Sequence, residues 1–160
     1  MAVTAFWYAN AFERAFAAEI DFLGTSMSVL LTDTTPYVPN QDTHEDGADV
    51  TNEVAEANGY LQGQDGTGEV LLTKTHTNTL NVSGFDIADP AWTATGAGFS
   101  ARIAVFLDTS VGVAASNPLL TWMDFGQTET ASGGGTFTIA MAAAPGLATI
   151  TAADAAGFPA

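Results

Sequence analysis

The start of the chain carries large apolar residues at every fourth position. These residues are Tyr8, Phe12, Phe16 and Ile20. Alanines lie between them and the charged side chains fall elsewhere, as in a helix with one apolar face. The spacing predicts an amphipathic α-helix over residues 4–21, with Thr4 as its N-cap and Gly24 as its stop.

After this segment the pattern changes to short apolar or alternating runs separated by Gly, Pro and Asp. The predicted strands cover residues 26–32, 59–62, 69–76, 79–82, 85–88, 101–108, 119–125, 136–141 and 147–151, with Trp92 as a further short candidate. Between them, the pattern predicts a surface loop over residues 36–49, a short helical turn over 51–58 and a hairpin loop at Gly133–Gly135.

Many short strands between Gly/Pro turns are typical of an antiparallel sandwich or barrel rather than of alternating βα units. We therefore predict one mainly β domain over residues 1–160. It is an antiparallel, jelly-roll-like β-sandwich with one N-terminal α-helix, strands within 26–151 and an extended tail over 152–160.

The charge of the chain excludes several classes of function. Its 160 residues hold 18 acidic and 3 basic side chains, which gives a formal net charge of −15. Nucleic acids and anionic membrane surfaces are poor partners, because phosphate contacts need Lys and Arg. No apolar run is long enough for a membrane-spanning helix, and the N-terminus lacks the basic segment of a secretory signal. Without cysteine there is no disulfide, thiolate metal site or thiol nucleophile.

The imbalance of charge also indicates an environment. Self-repulsion among carboxylates is screened by salt, and a chain rich in acids, Ala and Thr but nearly free of Lys resembles proteins adapted to high salt. An ordinary acidic protein, or one that docks on a basic partner, is the alternative.

The acidic loop over residues 42–53 has a partial resemblance to a calcium-binding loop. Asp42, Asp46, Gly47 and Glu53 fall at the first, fifth, sixth and twelfth positions of an EF-hand. The third position is His44, a poor calcium ligand, and prolines occupy the stretch where the preceding helix belongs. We therefore predict a solvated acidic loop without a metal, and a Ca²⁺ site is the alternative.

Catalytic motifs are equally weak. His44 and His76 are the only histidines and lie in different predicted elements, and no G-x-S-x-G motif accompanies them. Carboxylate pairs such as Asp86 and Asp89 are expected by chance in so acidic a chain. The sequence therefore predicts no catalytic residue, no cofactor and no enzyme.

Three consecutive large rings, Phe6, Trp7 and Tyr8, form the candidate subunit interface. On a helix they point in different directions, so they cannot all face one core. One or two of them are then expected to pack on another subunit, unless a wide helix stripe covers a sheet. A carbohydrate platform built from Trp7, Trp92 or Trp122 is a further alternative, although Trp122 lies in an apolar strand that favours the core.

A series of short motifs follows the order seen in a known family. The motifs are Phe6-Trp7-Tyr8-Ala-Asn10, Met27–Leu31, Tyr37-Val-Pro39-Asn-Gln-Asp42-Thr-His44, Asn52-Glu53-Val54, Gly59-Tyr60, Trp92-Thr93, Ala101–Phe106, Pro118-Leu119-Leu120, Asp124-Phe125-Gly126 and Gly135–Ile139. In this order, over residues 6–151, the chain resembles small virion structural proteins of tailed viruses. With its acidity it is similar to a protein of a halophilic archaeal tailed virus.

The resemblance implies a structural role at the particle surface, on the capsid or the tail, without an enzymatic site. We expect capsid decoration: docking on capsid or other virion proteins, with copies assembled into a homo-oligomer such as a trimer, and with no nucleic-acid or membrane partner. A receptor- or glycan-binding module of a head fibre or tail is the second hypothesis, and a small hydrolase is the third.

Overall fold

A computed structural model of the chain describes residues 4–32, 37–64, 70–71, 73–79, 82–141 and 148–151. The strands in these ranges are Thr4–Trp7 (β1), Met27–Thr32 (β2), Val70–Leu71 (β3), Lys74–Thr79 (β4), Val82–Ile87 (β5), Ala91–Thr93 (β6), Phe99–Asp108 (β7), Leu119–Ala131 (β8), Thr136–Thr138 (β9) and Ala148–Thr151 (β10). The α-helix is Ala9–Phe16 (α1), and Gly47–Asp49 and Ala114–Ser116 form 3₁₀ turns. The predicted mainly β fold with one N-terminal helix is confirmed.

The strands form three open antiparallel sheets. The largest has the order β1-β8-β7-β2-β3, the second has the order β10-β5-β4, and β6 pairs with β9. The large sheet has β1 at one edge and β3 at the other, because β7 and β8 supply the long apolar runs that occupy its centre. The prediction of antiparallel β-sheet packing is therefore confirmed, with sheets that do not close into a barrel.

The N-terminal helix is shorter than predicted, and Thr4 is not its N-cap. Residues Thr4–Trp7 are extended and pair with β8, while α1 begins only at Ala9. Tertiary pairing outweighs the weak helical preference of this segment. The helix ends at Phe16 because Ala18 takes a positive φ of 60°, well before Gly24.

The central strands agree closely with the sequence pattern, and the peripheral ones less so. β2 and β7 match the predictions to within two residues, whereas β8 runs on to Ala131 and β9 is shorter than predicted. Residues 51–58 form no helical turn and 59–62 no strand: Glu53 and Tyr60 make only isolated bridges, to Thr32 and Ala57. The predicted tail over 152–160 lies outside the described residues.

The core lies on both faces of β7. Residues 103–107 of that strand are all at most 3% exposed. On one side, an aromatic cluster joins the β6–β9 pair to the large sheet, with ring centroids 5.5–6.3 Å apart. Its members are Tyr60, Trp92, Phe99, Phe125 and Phe137. This cluster is the packed layer that the predicted sandwich requires.

Buried hydroxyl groups attach the loop after residue 37 to the sheet. The Tyr8 and Tyr37 hydroxyls are 2.9 Å apart, and the Tyr37 hydroxyl is 2.9 Å from Nδ1 of His44. Because the Asn40 N–H donates to the same Nδ1, that nitrogen is the acceptor, and the chain of donors runs from Tyr8 through Tyr37 to His44. Tyr60 accepts from the N–H of Leu31 at 2.9 Å. These bonds hold the loop against β2 and against Tyr8, which lies between β1 and α1.

Candidate docking surface

The three rings of the candidate interface are separated by the alternation of β1. Phe6 points to one face of the sheet and stacks on Trp122, with centroids 4.5 Å apart. Trp7 points to the opposite face. Tyr8 follows the strand, is 0% exposed and belongs to the core. The candidate interface therefore reduces to Phe6 and Trp7, which lie on different surfaces.

Trp7 belongs to a row of rings that crosses four elements. It lies 5.0 Å from Phe12 of α1 and 6.0 Å from Phe22. Phe22 in turn lies 5.1 Å from Phe85 of β5, which stacks on His76 of β4 at 4.7 Å. We call these five residues the aromatic row. No local pattern in the sequence indicates the row, because its members come from distant segments that only the fold brings together.

The end of the row on α1 is unusually exposed. Phe12 is 38% exposed, and Phe16, one turn further along the same face of α1, is 85% exposed. Contiguous exposed apolar surface with a polar border marks interaction sites on soluble proteins. The α1 end of the row, continued by Phe16, therefore has the properties of a docking surface.

Beside the row, β1 presents a free strand edge. The Tyr8 N–H donates to the carbonyl of Leu120, so the backbone of residues 4, 6 and 8 faces β8. The N–H and C=O groups of Ala5 and Trp7 then point away from the sheet, where no partner strand lies among the described residues. Such an edge is a template for pairing with another chain.

Two of the three basic side chains, Arg14 and Arg102, form ion pairs with carboxylates of the same chain. Arg14 on α1 contacts Asp46 at 2.9 Å and Glu45 at 3.8 Å. Arg102 lies 3.3 Å from Asp124. Burial raises the pKa of Asp124, but the Arg102 guanidinium and a backbone N–H lower it more, so its pKa lies below the usual range. The remaining acids leave the surface strongly negative.

The loop over residues 42–53 does not bring its acids together. Asp46 pairs with Arg14, and Glu53 accepts from the hydroxyl of Tyr60 at 2.9 Å. Asp42 is exposed. Across the described part of the chain, no group of three or more His, Asp or Glu side chains is arranged to hold a metal ion. The EF-hand spacing is therefore not matched by EF-hand geometry.

The histidines lie apart, and one of them contacts a serine. His44 is bonded to Tyr37, whereas Nε2 of His76 lies 2.7 Å from Oγ of Ser83. A triad needs an acid on the other ring nitrogen. The nearest candidate along β5, Asp86, points to the opposite face of the sheet from Ser83. Within the described part of the chain, the pair is a cross-strand hydrogen bond without an orienting acid.

The tryptophans do not form one platform. Trp92 is 4% exposed and lies in the aromatic cluster of the core. Trp122 is half-buried under Phe6, and its Nε1 has no hydrogen-bond partner among the described residues. Only Trp7 contributes to the aromatic row.

Neither protein-family models, nor curated proteins, nor solved structures match this chain. Among the described residues, no helix is long and apolar enough to cross a membrane. The functional argument therefore rests on the residues and surfaces described above.

Salt is expected to stabilise the folded chain. The net charge of −15 opposes compaction, and this repulsion fades as the Debye length falls from about 30 Å at 0.01 M salt to about 3 Å at 1 M. We expect the melting temperature to rise by about 5 °C or more over this range, measured by differential scanning calorimetry in NaCl. A melting temperature that is flat or falls with NaCl would contradict salt adaptation.

Proposed function

We propose that this chain is a non-catalytic virion structural protein that decorates and stabilises a capsid by docking on its subunits. The observation that carries the proposal is the exposed apolar surface of α1, where Phe12 at the end of the aromatic row is 38% exposed and the neighbouring Phe16 is 85% exposed. Such rings lose apolar exposure only when another surface covers them. The order of short motifs, which resembles that of small virion proteins of tailed viruses, supports the same role.

Docking on this surface would proceed by shape and apolar contact rather than by charge. Aromatic side chains dominate the binding energy of protein interfaces because they bury large areas at small entropic cost. The free edge of β1 adds backbone donors and acceptors next to Trp7. The acidic loops would face the surrounding salt solution. Symmetric copies, for example a trimer, would multiply weak contacts into stable attachment.

A second candidate function is a glycan- or receptor-binding module of a head fibre or tail. It is favoured by one feature at the far end of the row. There, the stacked rings of His76 and Phe85 lie beside the hydroxyl of Ser83, and an aromatic face next to polar groups is the chemistry that sugars use. Binding to a glycan array, lost in Phe85→Ala but not in Phe16→Ser, would support this candidate over decoration.

The row is tested by co-sedimentation with capsids that lack the protein. The double variant Phe12→Ser, Phe16→Ser is expected to reduce the bound copies about tenfold or more, because truncating two interface aromatics removes most of a hot spot. Phe16 is 85% exposed, so the single variant Phe16→Ser should keep the melting temperature of the wild type, whereas Phe12 also packs on Trp7. The single variant is therefore measured beside the double variant, and it should also bind fewer copies than the wild type.

The matched control is Val113→Ser. Val113 is 52% exposed and lies outside the aromatic row, in the connection between β7 and β8. Its replacement should leave binding unchanged. Equal binding by the double variant and the control would refute docking through the row.

A further inference from the structure

The strands β8 and β9 follow one another around a tight turn but do not pair. The Gly-rich turn over residues 132–135 contains the predicted hairpin loop Gly133–Gly135, and the N–H of Gly135 closes it by donating to the carbonyl of Ser132. β9 pairs instead with β6. The two strands diverge, and a groove of about 350 Å³ opens between them. The volume suits a few residues of extended peptide.

One wall of the groove is a free strand edge. The carbonyls of Pro90 and Gly135 accept from Ile139 and Ala94, so residues 135, 137 and 139 direct their backbone toward β6. The N–H and C=O groups of Thr136 and Thr138 therefore point the other way, toward the groove. Among the described residues no backbone group bonds to them. An extended peptide is the partner that such an edge accepts.

The rest of the groove combines an apolar floor with one carboxylate. Phe125 and Phe137, whose ring centroids are 5.8 Å apart, lie at its base together with Ile139. Glu129 is the charged residue of the lining, and its carboxylate accepts from the amide of Gln127 at 3.0 Å. Alternate side chains of a strand laid here would meet apolar and acidic surroundings in turn.

We propose that this groove binds an extended segment of a partner protein, which adds as a strand to β9 and places a basic side chain at Glu129. Charge favours a foreign partner over a second copy of this chain, because each copy carries a net charge of −15 and only three cationic side chains. The inference stands apart from the proposed function, since the groove shares no residue with the aromatic row.

The test uses a fluorescein-labelled nine-residue peptide with valine at even positions, a central lysine and threonine elsewhere. Its affinity is measured by fluorescence anisotropy. Thr138→Pro should weaken binding about tenfold, because proline removes an edge N–H that has no partner among the described residues. The charge of the protein is unchanged, so general attraction to an acidic surface would be unaffected by this variant.

Thr93→Pro is the control, since the Thr93 N–H lies on the opposite edge of the same two-stranded sheet. Its melting temperature is measured as well, because the Thr93 carbonyl lies close to Gly59. This variant should bind within about twofold of the wild type. Glu129→Gln should weaken the lysine peptide about threefold and leave a peptide with glutamine in place of lysine unchanged. Hydrogen exchange at the amides of Thr136 and Thr138 should slow when the peptide binds to the wild-type chain.

Three results would overturn the inference. They are absence of binding by the wild type, equal binding by Thr138→Pro and the wild type, and equal losses in Thr138→Pro and Thr93→Pro. Self-association that Thr138→Pro abolishes, measured by analytical ultracentrifugation, would replace the foreign partner by a second copy. None of these results depends on whether the chain is found in virions.

Discussion

Gly98→Ala is expected to lower the free energy of unfolding by about 4 kcal/mol or more, a large part of the stability of a domain of this size. Gly98 has a φ of +78°, and a Cβ at this position would lie 2.0 Å from the carbonyl oxygen of Ala131. The oxygen belongs to the backbone of β8, opposite Phe99, so it cannot rotate away. The turn before β7 would have to separate from the end of β8.

Gly134→Ala is the control for the φ angle alone. Gly134 has a φ of +85°, but a Cβ added at this position would have no atom within 4 Å. This variant should cost only about 1–2 kcal/mol, the ordinary penalty of a left-handed residue with a Cβ. Urea denaturation of both variants measures the difference. Equal losses in the two variants would show that the close approach of Gly98 to β8 contributes nothing.

Tyr60→Phe is expected to cost about 2–4 kcal/mol, because it leaves the buried N–H of Leu31 without its acceptor and removes one hydrogen bond to the Glu53 carboxylate. The hydroxyl accepts from Leu31 N–H at 2.9 Å and donates to Glu53 Oε1 at 2.9 Å, and the side chain is 1% exposed. Tyr8→Phe is the control, at the end of the hydrogen-bonded series Tyr8–Tyr37–His44. It removes one hydroxyl while Tyr37 keeps its bond to His44, so it should cost about 1 kcal/mol. If Tyr60→Phe lowers the free energy of unfolding no more than Tyr8→Phe does, the stabilising role of the Tyr60 hydroxyl between Leu31 and Glu53 is contradicted.

The same hydroxyl gives the chain a pH dependence in alkali. Burial raises the pKa of Tyr60, and the neighbouring Glu53 carboxylate raises it further. In the unfolded chain the pKa of tyrosine is about 10. A group whose pKa is raised on folding contributes stability that is complete below its unfolded pKa and is lost as the pH rises further. The stability of the wild type should therefore decline above about pH 10, and that of Tyr60→Phe should decline less steeply.

Local pattern is enough to predict the centre of the fold. The apolar runs of β7 and β8 predict buried strands. A short run that is apolar at successive positions, and so on both faces of a strand, is typical of a strand in the core. At the N-terminus the same pattern is misleading. Tyr8, Phe12 and Phe16 keep helical spacing, but Tyr8 is extended and only the other two lie on α1. Residues 4–7 are extended because β1 pairs with β8, and a pattern read over a few neighbouring residues cannot predict this long-range pairing.

The candidate site depends even more on long-range contacts. Phe6, Trp7 and Tyr8 are recognisable in the sequence as rings that cannot share one core, and the fold does separate them. Phe22 and Phe85 carry no such signal, since each is an ordinary apolar residue until the fold places the rings 5.1 Å apart. The groove is equally hidden. A Gly-rich turn normally closes a hairpin, and only the pairing of β9 with β6 shows that this one stays open.

The proposed role is that of a protein that acts through its surfaces. The core and its buried hydroxyl groups stabilise the fold. The aromatic row supplies apolar side chains for docking, and the carboxylates without an ion-pair partner keep the remaining surface hydrated. Such a role requires no reacting group. It requires instead that many copies occupy equivalent positions on a larger assembly.

Copy number per particle tests that requirement most directly. Quantitative mass spectrometry of purified virions, from the tailed virus proposed to encode this chain, would give its ratio to the major capsid protein. Decoration predicts hundreds of copies in a fixed ratio to that protein. A few copies would place the chain at a vertex, fibre or tail and contradict decoration, and absence from purified particles would contradict a virion role altogether.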